Sequence, residues 1–163
     1  MISQNMQNAL NAHFQAEVYS SYLYQAMSAW CTSQNYAGFG RWLRVQATEE
    51  HAHALKLLDF VLDRGGKSEF KPIEAPPAEF GNIVQTFEAV LKHECHVTQL
   101  VHELFSKART EKDLASENFL QWFVAEQVQE EATASEIVGK LRMVGDRPGA
   151  ALYLDKEYGK RQG

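Results

Sequence analysis

Glu50 and His53 stand three residues apart, a spacing that puts both side chains on one face of a helix. A carboxylate and an imidazole so placed can hold one divalent metal ion, and these donors suit iron, manganese or zinc. A lone Glu-x-x-His pair is common by chance. Three more glutamates, Glu17, Glu94 and Glu130, give it weight, because each interrupts an apolar seam that recurs at alternating spacings of three and four. The first seam reads Met6, Leu10, His13, Glu17, Ser20, Tyr24, Met27. The second reads Phe39, Leu43, Gln46, Glu50, His53, Leu57, Phe60. The third is Ile83, Phe87, Val90, Glu94, Val97, Val101, Leu104, and the fourth Leu120, Phe123, Gln127, Glu130, Ala134, Ile137, Leu141.

An unpaired buried carboxylate costs several kcal/mol or takes up a proton. Basic partners are scarce: the first 40 residues contain no Lys or Arg, and none lies on the four seams. Two divalent cations would balance four carboxylates. Four glutamates in register on four seams therefore point to a paired metal site.

The elements that must carry these residues are long helices. The four prolines are Pro72, Pro76, Pro77 and Pro148, three of them in one short stretch, which leaves two long proline-free blocks. Breaks near Ser33 to Gly38 and Thr110 to Asp113, where Asp113 suits an N-cap, divide these blocks into helices over about 4–33, 37–64, 82–109 and 114–144. Pro148 suits the first turn of a short fifth helix. By the helical rise, Glu17 and Glu50 lie roughly 20–24 Å from the first joint, and Glu94 and Glu130 roughly 21–26 Å from the third. All four then meet at mid-bundle. The joint over residues 65–80 differs from the others. About 15 extended residues reach roughly 50 Å, enough to run the length of a 28-residue helix of about 42 Å. The expected fold is all-α: one domain over residues 1–163, two antiparallel hairpins joined by one long crossover.

Composition agrees. The chain has 163 residues, 45% hydrophobic and 23% charged, which suits a single soluble globular domain. Its net charge of −5 argues against a nucleic-acid partner and is compatible with attracting cations. No apolar run reaches the length of a membrane span, and the N-terminal residues Met1 to Asn5 carry no basic segment followed by an apolar block, so neither membrane nor leader is expected. Cys31 and Cys95 are far apart and in no metal-like spacing. The expected setting is the reducing cytoplasm.

Across essentially its whole length the sequence resembles the bacterial non-haem ferritins. The likeness is clearest in Glu17-Val18-Tyr19-Ser20-Ser21-Tyr22-Leu23-Tyr24, Met27-Ser28-Ala29-Trp30-Cys31, Glu49-Glu50-His51-Ala52-His53, Lys92-His93-Glu94 and Asn118-Phe119-Leu120-Gln121-Trp122-Phe123. The resemblance implies that Glu17, Glu50 and His53 bind a first iron, and that Glu50 bridges to a second held by Glu94 and Glu130. It places Gln127 by that second iron and its oxygen-derived ligand, with Tyr24 and Trp122 beside the centre as electron donors. A weaker third site would draw on Glu49, Glu126, Glu130 and one more acid. That last position is Gln129 here, a neutral amide in place of a charged ligand. The implied activity is ferroxidation: two Fe(II) bind, O2 or H2O2 oxidises them by way of a diferric-peroxo species, and ferric mineral collects inside a 24-subunit cage. No haem is implied.

Related families fit less well. A bacterioferritin would repeat Glu-x-x-His on the fourth helix, where Glu130 is followed by Thr133, and would offer a haem methionine where this chain has His51. A rubrerythrin-type peroxidase needs a four-cysteine iron domain. A DNA-protecting mini-ferritin places its ligands across a subunit interface, and a ribonucleotide reductase radical subunit is much longer. A shell subunit without oxidase activity would have lost the seam glutamates. An iron carrier would bind metal without consuming oxygen.

Other residues read as structural. His13 is expected to be a packed, hydrogen-bonded histidine. His93, His96 and His102 lie off the third seam and are expected at the surface or an interface, and His51 in solvent. Cys31 and Cys95 are expected to be buried thiols. Tyr19, Tyr22, Trp30 and Trp42 read as packing or subunit contacts.

Overall fold

Ser3 starts the first helix by accepting a hydrogen bond from Met6 N at 3.0 Å. The computed structural model describes residues 1–162 and places five helices and no strand among them: α1 Gln4–Ser33, α2 Ala37–Asp63, α3 Ile83–Thr110, α4 Leu114–Val144 and α5 Pro148–Tyr158. Each boundary lies within a residue of the sequence reading, because each is set by a local stop or cap. Asn35 takes a left-handed φ of 66° in the tight α1–α2 turn, and Gly65, at φ 73°, follows α2. Asn82 and Gln85 form a reciprocal capping box at the start of α3. Asp113 caps α4 through Ser116 N, and its carboxylate also takes two hydrogen bonds from Arg64, which ties the end of α2 to the start of α4.

α1 packs along α2 and α3 along α4, and α1 also meets α3; α5 lies against α2 and α4. The crossover, residues 66–82, is held by side chains of α1 spaced four residues apart. Gln7 Oε1 accepts from Lys67 N, Asn11 bonds Lys67 O and Glu69 N, and Gln15 donates to Lys71 O and Pro72 O. Spacing of four keeps these three residues on one stripe of the helix.

The apolar core falls into two clusters. One holds Leu23, Ala47, Val90 and Ala134 nearest the middle; the other holds Phe14, Ala54, Val97 and Phe123. On every long helix the seam glutamate lies between a member of one cluster and a member of the other, so an acidic layer divides the core. Two seam ends differ from expectation: Phe60 and Ile83, near the ends of their helices, are only half-buried, packed against the margins of the core.

α5 is locked by a close approach. Asp155 accepts from Gly38 N at 3.1 Å and from Phe39 N at 2.8 Å, capping the start of α2 from another helix. A Cβ on Gly38 would fall 1.8 Å from the Asp155 carbonyl oxygen, so only glycine admits α5 here.

Candidate metal centre

Four carboxylates reach one place because four seams pass it. Glu17, Glu50, Glu94 and Glu130 come from α1, α2, α3 and α4, and are 1%, 2%, 2% and 8% exposed. Ligand atoms of Glu17, Glu50 and His53 lie within 4.8 Å of one another, and so do those of Glu50, Glu94 and Glu130. Glu50 belongs to both groups. Each trio offers two carboxylates plus a third donor, the set expected of a hard or borderline divalent ion.

The electrostatics are those of a site short of positive charge. Burial, opposed by His53 and reinforced by the charge of Glu17, pushes Glu50 up to about 8. Burial and the charge of Glu50 take Glu94 to about 8, and burial with the charge of Glu94 takes Glu130 to about 7. His53 loses basicity to burial but gains more from Glu50, whose Oε2 lies 3.3 Å from its Nδ1, and rises to about 9. Burial works to raise Glu17, yet His13 beside it brings it below the ordinary carboxylate value. His13 Nε2 stands 3.0 Å from Glu17 Oε1 without hydrogen-bond geometry, and Glu17 Oε2 has no partner. That orphaned oxygen inside an acidic layer fits a metal ion better than it fits a packed core.

Surrounding side chains hold the acids in place. Tyr24 donates its hydroxyl to Glu94 Oε1, and burial, then the charge of Glu94, keep the phenol protonated. Gln127 donates to Glu94 Oε2 at 3.2 Å and to Thr98 Oγ1 at 3.3 Å. Gln46 donates to Glu50 Oε1 and to Glu130 Oε2, both at 2.8 Å. Trp122 meets the His53 ring edge-on at 5.1 Å, with Lys56 Nζ 3.8 Å over its own ring. Glu126 lies within metal-sharing distance of His53 and Glu130. Glu49 is half-exposed and paired with Arg161, while Gln129 points into solvent.

Some residues fall elsewhere than the sequence suggested. His93, expected at the surface or an interface, is only partly exposed in the single chain and stands 2.8 Å from Ser20 Oγ, with its ring edge-on to Tyr24 at 5.6 Å. Burial, aided by His96, pulls it down to about 4. It follows Lys92 one step off the α3 seam and meets Ser20, Tyr19 and Tyr24 of α1. Cys31 is buried and pushed up to about 12 by burial and then by Asp155, but Cys95 is half-exposed, not a buried thiol. Gln46 and Arg161 carry contacts that the seam pattern could not reveal. Gln46 reads as a polar seam position, and Arg161 lies beyond the last helix.

Residues 7–144 match the ferritin-like domain family. The chain belongs to the ferritin family. A bacterial non-heme ferritin of Bacteroides fragilis is 40% identical over 161 residues, 99% of this chain and 100% of the relative. One from Staphylococcus aureus is 37% identical over 99% of this chain and 97% of its own. Among solved structures, an open-pore ferritin from the archaeon Archaeoglobus fulgidus superposes with a TM-score of 0.98 at 49% identity, covering 99% of this chain and 100% of that one. A humanized archaeal ferritin superposes at 0.99 with 48% identity over the whole of both chains. Ferritin family and ferritin fold together support a role in iron storage. No helix of this ferritin, among the described residues, is long and apolar enough to cross a membrane.

Proposed function

We propose that this ferritin is a ferroxidase that oxidises Fe(II) at a two-iron centre and stores the ferric product inside a cage of 24 copies. The observation that carries the reading is the sharing of Glu50 between two donor groups, Glu17–Glu50–His53 and Glu50–Glu94–Glu130. Iron is substrate here. Two Fe(II) bound side by side each give up one electron, and the pair reduces one O2 to the level of peroxide, or one H2O2 to water. Bound iron displaces the protons that burial otherwise holds on Glu50, Glu94 and Glu130 and that Glu50 holds on His53, so loading releases acid. Tyr24 and Gln127 fix the two oxygens of Glu94, which aims its lone pairs at the second position. Tyr24 and Trp122 are the oxidisable side chains nearest the centre and serve as electron donors. Glu126, grouped with His53 and Glu130, is an outer carboxylate of the centre. Two free cysteines agree with a cytoplasmic setting.

Anaerobic Fe(II) titration of the metal-free protein, followed by rapid mixing with O2, tests this. Two tight irons per subunit and oxygen consumption in step with Fe(III) formation are expected. Binding without oxygen consumption would make the protein an iron carrier. Light scattering that found a stable monomer would remove the cage.

A further inference from the structure

The side chain of an arginine beyond the last helix reaches the edge of the acidic layer. Arg161 lies three residues beyond α5. One of its terminal nitrogens donates to Gln46 Oε1 at 2.8 Å, the other to Glu49 Oε2, and its guanidinium sits 4.5 Å over the Trp42 ring. These three partners are on α2, and α5 is fixed to α2 by the Asp155 cap and the Gly38 approach, so the placement of Arg161 follows from the docking of α5.

An arginine side chain has only donors. Its bond to Gln46 therefore fixes which end of that amide faces it: the oxygen turns to Arg161, and the NH2 turns to the centre, where it bonds Glu50 and Glu130 together at 2.8 Å each. The amide is thus set from both sides, and without the guanidinium its oxygen loses the partner that anchors the NH2 at this distance from the two carboxylates. The second arm acts on Glu49. That acid lies close enough to Glu130 to act on its charge, and Glu130 in turn shares a donor group with Glu126 and His53. Glu49, Glu126 and Glu130 thus make an acidic fringe on the α2–α4 side of the centre, and the guanidinium already neutralises one of its three members.

We propose that Arg161 is a positioning residue and built-in cation of this centre: it withdraws Glu49 from metal binding and, through Gln46, sets Glu50 and Glu130, so that the centre takes two divalent ions and not three. The inference rests on the two-iron reading above.

Equilibrium binding of Co(II), which does not turn over with oxygen under these conditions, tests it by calorimetry on the assembled protein. The wild type binds two ions per subunit. Arg161→Gln gains a third, weaker ion, and Glu49→Gln combined with Arg161→Gln returns to two, because the gained site needs the Glu49 carboxylate. A merely structural loosening of the tail would not depend on Glu49. A chain ending at Lys160 removes the same guanidinium should Arg161→Gln misassemble, and gains the same ion. A third ion in the wild type, two ions in both Arg161→Gln and the truncated chain, or a third ion that persists in the double variant each overturns the proposal. A wild type that binds no pair at all overturns the two-iron reading instead.

Discussion

Tyr24 on α1 hands its hydroxyl hydrogen to Glu94 on α3, two residues 70 positions apart in sequence, inside the layer that divides the core. The contact joins the two helix hairpins at the level of the metal centre. It gives one carboxylate oxygen a fixed partner and leaves the other to Gln127. Tyr24→Phe keeps the ring and its packing against His93 and removes only this bond. The second metal ion is then expected to bind roughly tenfold more weakly, since one lost hydrogen bond to a carboxylate is worth about 1.4 kcal/mol or somewhat more. Calorimetric titration with Co(II) checks this; unchanged affinity at both positions would remove Tyr24 from the centre's support.

His53 is the only nitrogen donor in either trio. His53→Ala should cut binding to about one ion per subunit and slow paired oxidation by roughly a hundredfold or more, in line with the loss of a direct ligand, while circular dichroism stays helical. Glu94→Ala should impair the second position instead. Wild-type oxidation rates in both variants would be incompatible with the assignment.

The metal-free protein should lose stability as pH rises. His53, raised to about 9, contributes stability that is full below its ordinary value of 6.5 and is lost as pH climbs through about 9. Glu50, Glu94 and Glu130 act in the same direction. Below 4.5 they are protonated folded and unfolded alike; above it the unfolded chain ionises freely while burial resists ionisation up to about 8, about 8 and about 7. Glu17, held low, opposes them only in acid. The melting temperature without metal should therefore fall steadily from about pH 5 to about pH 9, and the fall should shrink with Co(II) bound, because metal replaces the protons. Parallel thermal scans in both states measure it; a flat metal-free profile would contradict the burial of these acids.

Asp155→Ala should cost about 1–3 kcal/mol by removing two bonds to the start of α2. Amide exchange in α5 should rise before that in α2. Gly38→Ala should free α5 in the same way by steric contact, and equal α5 protection in both variants and wild type would show that something other than this lock holds the helix.

The long helices and the acidic layer were legible because both repeat. A seam of thirty residues averages over local accidents, and a glutamate in the middle of such a seam has few explanations. The caps at Ser3, Asn82 and Asp113 fixed boundaries to within a residue by the same local chemistry that sequence displays. What escaped was relational. His93 sits one step off its seam, and its enclosure comes from contacts with Ser20, Tyr19 and Tyr24 of another helix. Cys95 neighbours Glu94 but turns to the outer side, where it is half-exposed. Arg161 stands in a stretch with no periodicity at all, so only the docked α5 shows that it returns to the centre. Gln46 looks like a tolerated polar seam position until its three partners are seen together.

Gln7, Asn11 and Gln15 grip the crossover by its peptide groups and not by its side chains. The path of the strap from Lys67 to Pro72 is thus specified from α1, while most of the strap's own residues face outward. Foreign sequence grafted over residues 74–79 would lie beyond these grips and leave them intact, which makes this part of the strap a place to display a peptide on the molecule without rewriting the bundle beneath it.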